Sequence, residues 1–192
     1  MISLKPKQLI FIAASTGGPG LIETILISLK APINATVVLL QHMDRFNLDS
    51  FSKRLNRINP LDVTLVSQKT NLKNGNIYLL EDTSIIISDQ YGELYIQKND
   101  KNQGFYHPTI DELFLSAAKL NDIKITAYLL SGIGSDGAKG LLALKKANFK
   151  TVAQDKETSI VYGMPKSALE LQACQYVMSI DEIIDEINKE TV

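Results

Sequence analysis

The sequence predicts an α/β protein: a three-layer, doubly wound, mostly parallel sheet with an antiparallel hairpin inserted in it. Two observations carry this expectation. Apolar, β-branched runs alternate with amphipathic stretches along most of the chain, and strands that alternate with helices are joined by crossovers that make neighbouring strands parallel. The middle of the chain breaks that alternation with short strands linked through a Tyr-Gly turn, the mark of a hairpin. With 192 residues, 45% of them hydrophobic, the chain is long enough to bury a full core, so residues 1–192 are expected to form one domain.

The elements follow in order. The apolar run Leu9 to Ile12 leads into a strand ending at Ala14, and Leu21, Ile22, Ile25, Leu26 and Leu29 at helical spacing predict a helix over Gly17 to Lys30. Thr36 to Gln41 (TVVLLQ) reads as a buried strand with His42 just past its end, followed by a helix over Leu48 to Ile58 and a short strand, Val63 to Val66. Asn74-Gly75 precedes the apolar Ile77 to Leu80, and Ile85 to Ile87 is joined through Tyr91-Gly92 to Leu94 to Ile96 as the hairpin. A polar loop, expected to be mobile, covers Lys98 to Gly104. His107-Pro108-Thr109 then opens a helix in which Ile110, Leu113, Phe114, Ala117 and Leu120 share a face. The α/β pattern resumes with the strand Ile125 to Leu130, the turn Ser131 to Gly137 (SGIGSDG) and the helix Ala138 to Ala147, where Asn148 takes the left-handed cap position. Val152 to Gln154 is a strand, Pro165 opens a helix running to Leu171, Tyr176 to Met178 is a last strand, and Asp181 to Asn188 a last helix.

Composition narrows the function classes. Lys plus Arg number 20 against 21 Asp plus Glu, a net charge of −1 with no basic stripe to follow a nucleic-acid backbone, so nucleic acid is not an expected partner. The apolar run near the N-terminus is too short, and breaks at Ser15, for a signal peptide or a membrane span, which makes the expected location cytoplasmic without membrane insertion. The single cysteine, Cys174, has no internal disulfide partner and excludes a cysteine-based zinc site; it reads as a small buried hydrophobe.

Three side chains fall just past strand ends: Ser15 after the first strand, His42 after the second, and Asp136 in the turn after the strand ending at Leu130. In an open parallel sheet those carboxyl ends share one edge, and ligands bind in the crevice outside it. A serine hydroxyl needs an imidazole to take its proton, and a carboxylate fixes the imidazole's tautomer and stabilises its charged form. Each residue also has a plainer role. Ser15 suits an N-cap or a phosphate cradle at the following helix, His42 suits a satisfied histidine at a strand end, and Asp136 suits a helix cap, a role hard to combine with holding a histidine. There are only two histidines. His42 follows a buried strand directly, whereas Pro108 biases His107 to extended backbone and the surface, so His42 is the preferred base. The glycines of Ser131 to Gly140 allow close approach of backbone or ligand.

These residues lie in longer motifs: IAASTGGPG around Ser15, VVLLQHM around His42, HPTIDELFLSAA from His107, LLSGIGSDGAKGL around Asp136 and AQDKETSIVYGMPKSA from Ala153. Together they resemble, over nearly the whole chain, the catalytic domain of CheB, the chemoreceptor glutamate methylesterase. The resemblance implies a Ser15, His42, Asp136 triad hydrolysing glutamyl methyl esters on methyl-accepting chemotaxis receptors, with deamidation of particular receptor glutamines also associated with the family. No cofactor and no metal are implied. Backbone donors for the oxyanion are expected beside Ser15, at Thr16 and Gly17 toward Gly18, and around Ile133, with Thr16 as a further hydrogen-bonding residue.

Three departures from the family pattern stand out. Ile133 occupies a position that is usually methionine, and Met43-Asp44-Arg45-Phe46 lacks the proline-rich turn common after the histidine. Most members carry an N-terminal receiver domain, whereas this chain begins a few residues before its first strand; Met1 favours a natural version without that domain. Two other classes fit the sequence less well: a receptor-binding module with little turnover, against which the complete triad counts, and a nucleotide-binding domain, for which the chain lacks both G-x-G-x-x-G and a P-loop lysine.

Overall fold

The computed structural model describes residues 5–99 and 107–191. The expected strands form because their side chains are apolar on both sides of the backbone, the pattern of a sheet covered on both faces. In β1 (Gln8–Ala14) and β2 (Thr36–Gln41) every residue is buried. With β3 (Val63–Val66), β5 (Ile77–Leu80), β8 (Lys124–Leu129), β9 (Lys150–Gln154) and β10 (Tyr176–Met178) they make a seven-stranded sheet in the order β10-β9-β8-β1-β2-β5-β3. All of its pairings are parallel.

Antiparallel pairing is confined to a second, three-stranded sheet in the order β4-β7-β6. The expected hairpin is β6 (Ser84–Ser88) with β7 (Leu94–Lys98), and a short strand unmarked in the sequence, β4 (Thr70–Asn71), pairs with the far edge of β7. Ile77–Leu80 belongs to the parallel sheet, between β2 and β3. Lys98, expected to begin a polar loop, ends β7, and that loop from 100 onward lies outside the described residues.

The helices divide between the faces of the large sheet. Ile10, Ile12 and Ala14 of β1 pack with α1 (Gly18–Ser28), α2 (Arg45–Ile58) and α6 (Ile180–Thr191). Leu9, Phe11 and Ala13 pack with α3 (Ile110–Ala117), α4 (Ala138–Lys146), α5 (Met164–Glu170) and the small sheet. The result is three layers. The Phe11 and Phe114 rings, tilted with centroids 5.7 Å apart, sit in the second of these cores.

Helix limits differ from the sequence expectation where local chemistry overrides the pattern. Gly17, with φ +83°, precedes α1 rather than opening it, and α1 ends at Ser28 before Leu29 turns extended. The α2 helix starts three residues early because the Asp44 carboxylate accepts from the Asn47 N–H at 3.0 Å. In α6 Ser179 and Glu182 form a reciprocal capping box: the carboxylate accepts from the Ser179 N–H at 2.8 Å and the Ser179 hydroxyl from the Glu182 N–H at 3.3 Å. Asn148 takes its expected left-handed conformation, φ 64°. No described helix is long and apolar enough to cross a membrane.

Candidate active site

The β1 and β2 strands end together, with Ala14 opposite Gln41 in their last pair. The His42 N–H donates to the Ala14 carbonyl at 3.0 Å, so Ser15 and His42 leave adjacent strands side by side. On the other flank of β1, the Leu130 N–H donates to the Ala13 carbonyl at 2.8 Å and the Ser15 N–H to the Ser131 carbonyl at 2.9 Å. This brings the turn that carries Asp136 to the same edge. The helix after β1 covers one face and the helix after β8 the other, so the site lies where the winding reverses.

Ser15 sits in a tight turn closed by the Gly18 N–H donating to the Ser15 carbonyl at 2.9 Å. The N-cap position of α1 belongs to Gly17, and no side chain caps that helix, so the N-cap reading of Ser15 does not hold. Only glycine fits at 17: its backbone is left-handed, and a Cβ there would lie 2.8 Å from the Ile160 Cβ. Thr16 is exposed, Ser15 and Gly17 are partly exposed, and the Ile133 side chain is 58% exposed at the rim of the facing turn. Among the described residues, no acceptor is found for the N–H groups of Thr16 or Gly17.

His42 Nε2 lies 2.8 Å from Asp136 Oδ2, and both side chains are nearly excluded from solvent. Burial pushes the Asp136 carboxyl up, but the hydrogen bonds from His42 and from the Ile110 and Asp111 N–H groups outweigh it and hold the carboxyl below its ordinary value. Asp136 is therefore a carboxylate at neutral pH and can only accept. Nε2 carries the imidazole proton, and the lone pair of neutral His42 resides on Nδ1.

Asp136 also combines the two roles that sequence reasoning sets against each other. It does cap a helix, but α3 rather than the α4 helix that follows it: Oδ2 accepts from the Ile110 N–H at 2.8 Å and Oδ1 from the Asp111 N–H at 3.0 Å. Asp111 returns the favour to α4, its Oδ1 accepting from the Gly140 N–H at 2.7 Å. The two carboxylates thus cap each other's helices. The contact is close because Gly140 has no side chain, and a Cβ there would lie 2.5 Å from the Phe114 Cβ.

His107 does not join the group. Its side chain is exposed, with Nδ1 3.4 Å from the Thr83 hydroxyl, while its carbonyl accepts from the Met43 N–H at 3.2 Å beside the cleft. Three residues without an assigned role in the sequence do join. The Gln41 amide donates to the Ser15 carbonyl at 2.8 Å. The Ser131 hydroxyl donates to the Thr16 carbonyl at 2.8 Å and accepts from the Val161 N–H at 2.8 Å. Gln154 Oε1 accepts from the Ser131 N–H at 2.9 Å. Each is a polar residue at or just past the end of an apolar strand, a signal the sequence does carry. Among the described residues, no group of three or more His, Cys, Asp or Glu side chains is arranged to hold a metal ion.

A serine beside a buried, oriented imidazole–carboxylate pair is equipped for acyl transfer. Comparison with known proteins agrees with that chemistry. The family described as CheB methylesterase matches residues 10–187. The protein-glutamate methylesterase/protein-glutamine glutaminase 1 of Carboxydothermus hydrogenoformans is 34% identical over 94% of this chain and 54% of its own length. The protein of that name from the group 3 operon of Rhizobium meliloti is likewise 34% identical, over 95% of this chain and 51% of its own. The chain therefore spans about half the length of the curated relatives it matches. The crystal structure of the Thermotoga maritima CheB methylesterase catalytic domain superposes with a TM-score of 0.86 at 29% identity, covering 95% of this chain and 97% of that one. From its strand order to its Ser15 turn, the chain belongs to the CheB methylesterase family and corresponds to its catalytic part.

Proposed function

We propose that residues 1–192 make up one CheB-type catalytic domain, a serine-type carboxylic ester hydrolase that removes methyl groups from glutamyl esters of chemotaxis receptors. The observation that carries this reading is the buried His42–Asp136 pair, at 2.8 Å, formed at the sheet edge where Ser15 leaves β1 between β2 and β8. In the reaction, Nδ1 of neutral His42 takes the Ser15 proton as Oγ attacks the ester carbonyl. Asp136 stabilises the imidazolium that forms. The oxyanion accepts from backbone N–H groups at Thr16 and Gly17 and in the turn at Ile133; a backbone donor is indifferent to isoleucine replacing methionine there. The imidazolium then protonates the departing methoxide oxygen, which leaves as methanol. Water, deprotonated by His42, releases the glutamate carboxylate and restores Ser15.

The same steps with ammonia as the leaving group convert a glutamine to glutamate. The double name of the relatives supports that second reaction.

Methanol release from methylated receptor tests the reading. Ser15→Ala and His42→Ala are expected to lower turnover by on the order of 10⁴-fold or more with the fold intact, while His107→Ala keeps most of it. Wild-type turnover in Ser15→Ala overturns the mechanism, and a reversed ranking of the histidines reassigns the base.

A further inference from the structure

Gln41 ends β2 and is 1% exposed, pointing to the α1 side of the sheet while the next residue, His42, faces the α3 side. It therefore stands behind the site rather than in it. Its amide nitrogen has two hydrogens. One is donated to the carbonyl of Ser15 at 2.8 Å and the other to the carbonyl of His42 at 3.1 Å. The regular β1–β2 pairing stops at Ala14 and Gln41, and this side chain links the two strands one residue further, where their functional groups begin. The Ser15 carbonyl also accepts from the Gly18 N–H at 2.9 Å, so it is held by two donors.

The other end of the amide is less well provided for. Gln41 Oε1 is buried and, among the described residues, has no hydrogen-bond partner. It lies against Gly18, where any Cβ would run into it. A buried acceptor without a donor weakens a fold, and an apolar side chain of the same length would avoid that loss. The lone acceptor offsets part of what the two donated bonds add to stability, and what sets this amide apart is that those bonds join the Ser15 and His42 backbones.

We propose that Gln41 is a positioning residue for the hydrolytic reaction, fixing the backbones of Ser15 and His42 relative to each other through one side-chain amide. The inference rests on the Ser15–His42 reading above. Loss of the clamp lets nucleophile and base drift apart, and a misplacement near 1 Å costs about 100-fold in rate.

Gln41→Met preserves length and removes both donors and the lone acceptor; Gln41→Leu serves as a second apolar variant. Three readouts are needed: kcat and KM for methanol release from methylated receptor, the second-order rate at which a fluorophosphonate labels Ser15, and the melting temperature. Expected are a fall of about 10- to 100-fold in both kcat and the labelling rate, KM within about twofold of wild type, and a melting temperature lowered only slightly, because relief of the lone acceptor offsets part of the loss of a donor at the Ser15 and His42 carbonyls. Wild-type kcat and labelling in both variants overturn the proposal and leave the Ser15 reading standing. A rate loss no larger than the loss of folded protein at the assay temperature also overturns it, since that is a structural role. Failure of the wild-type protein to label at Ser15 overturns the Ser15 reading and this proposal with it.

Discussion

Asp136 Oδ2 accepts from both His42 Nε2 and the Ile110 N–H, each at 2.8 Å, while Oδ1 accepts from the Asp111 and Gly137 N–H groups, each at 3.0 Å. Four donors around one carboxylate keep it ionised despite its burial. A carboxyl whose folded pKa lies below its unfolded value, about 3.9 for Asp, binds fewer protons when folded. Its contribution to stability is complete above the unfolded value and is lost as pH falls through the lower, folded one. Wild type is accordingly expected to be more stable than Asp136→Asn at neutral pH, with the difference shrinking only once pH drops below about 4. Urea denaturation of both proteins from pH 7 to pH 3 checks this. A gap that stays constant over that range would mean the carboxylate's charge adds nothing. Asp111, its neighbour, is shifted the opposite way, first by burial and then by the Asp136 charge, with the Gly140 N–H acting against both.

The crossed caps turn α3 and α4 into one mechanical unit. A carboxylate at a helix N-terminus supplies an acceptor for free N–H groups and a charge that suits the dipole, together about 1 kcal/mol. Asp111→Ala is expected to lose roughly that amount, 1–2 kcal/mol in urea unfolding, and to lower turnover, because the turn holding Asp136 is anchored at Gly140. Asp111→Asn, which keeps an acceptor, is expected to lose less of both. Such partnerships mark the limit of what the sequence discloses. Ser15, His42 and Asp136 are legible because each stands just past an apolar run, and position along the chain is what a sequence records. Gln41 and Asp111 act on backbone groups of other elements, and which backbone lies beside a side chain is decided only by packing. The same holds for Thr70–Asn71, two polar residues that become a strand solely because β7 offers them an edge. Ser179 and Glu182 stand three residues apart in the sequence, yet the apolar spacing predicts a helix start at Asp181, one residue after the observed one.

Across the whole molecule the large sheet is the common wall of two cores, and β1 contributes alternate residues to both. Phe11 is fully buried in the layer beneath α3, its ring tilted against that of Phe114. Phe11→Ala is expected to cost about 3–5 kcal/mol in equilibrium unfolding, a large part of the stability of a protein this size. A loss below about 1 kcal/mol would mean the two cores collapse independently around the cavity. The fold class was readable because β1, β2 and β5 are apolar along most of their length and alternate with amphipathic helices. The position of β1 between β2 and β8 was not, since strand order depends on which crossovers reverse. That position also governs timing. The strand synthesised first is the central one, its neighbour β2 follows soon, and its other neighbour, β8, emerges only after the small sheet and α3. His42 and Asp136 are 94 residues apart, so the nascent chain holds serine and imidazole long before it can supply the carboxylate. Under the proposed triad, activity is expected to appear only once β8 has docked and the large sheet has closed around β1.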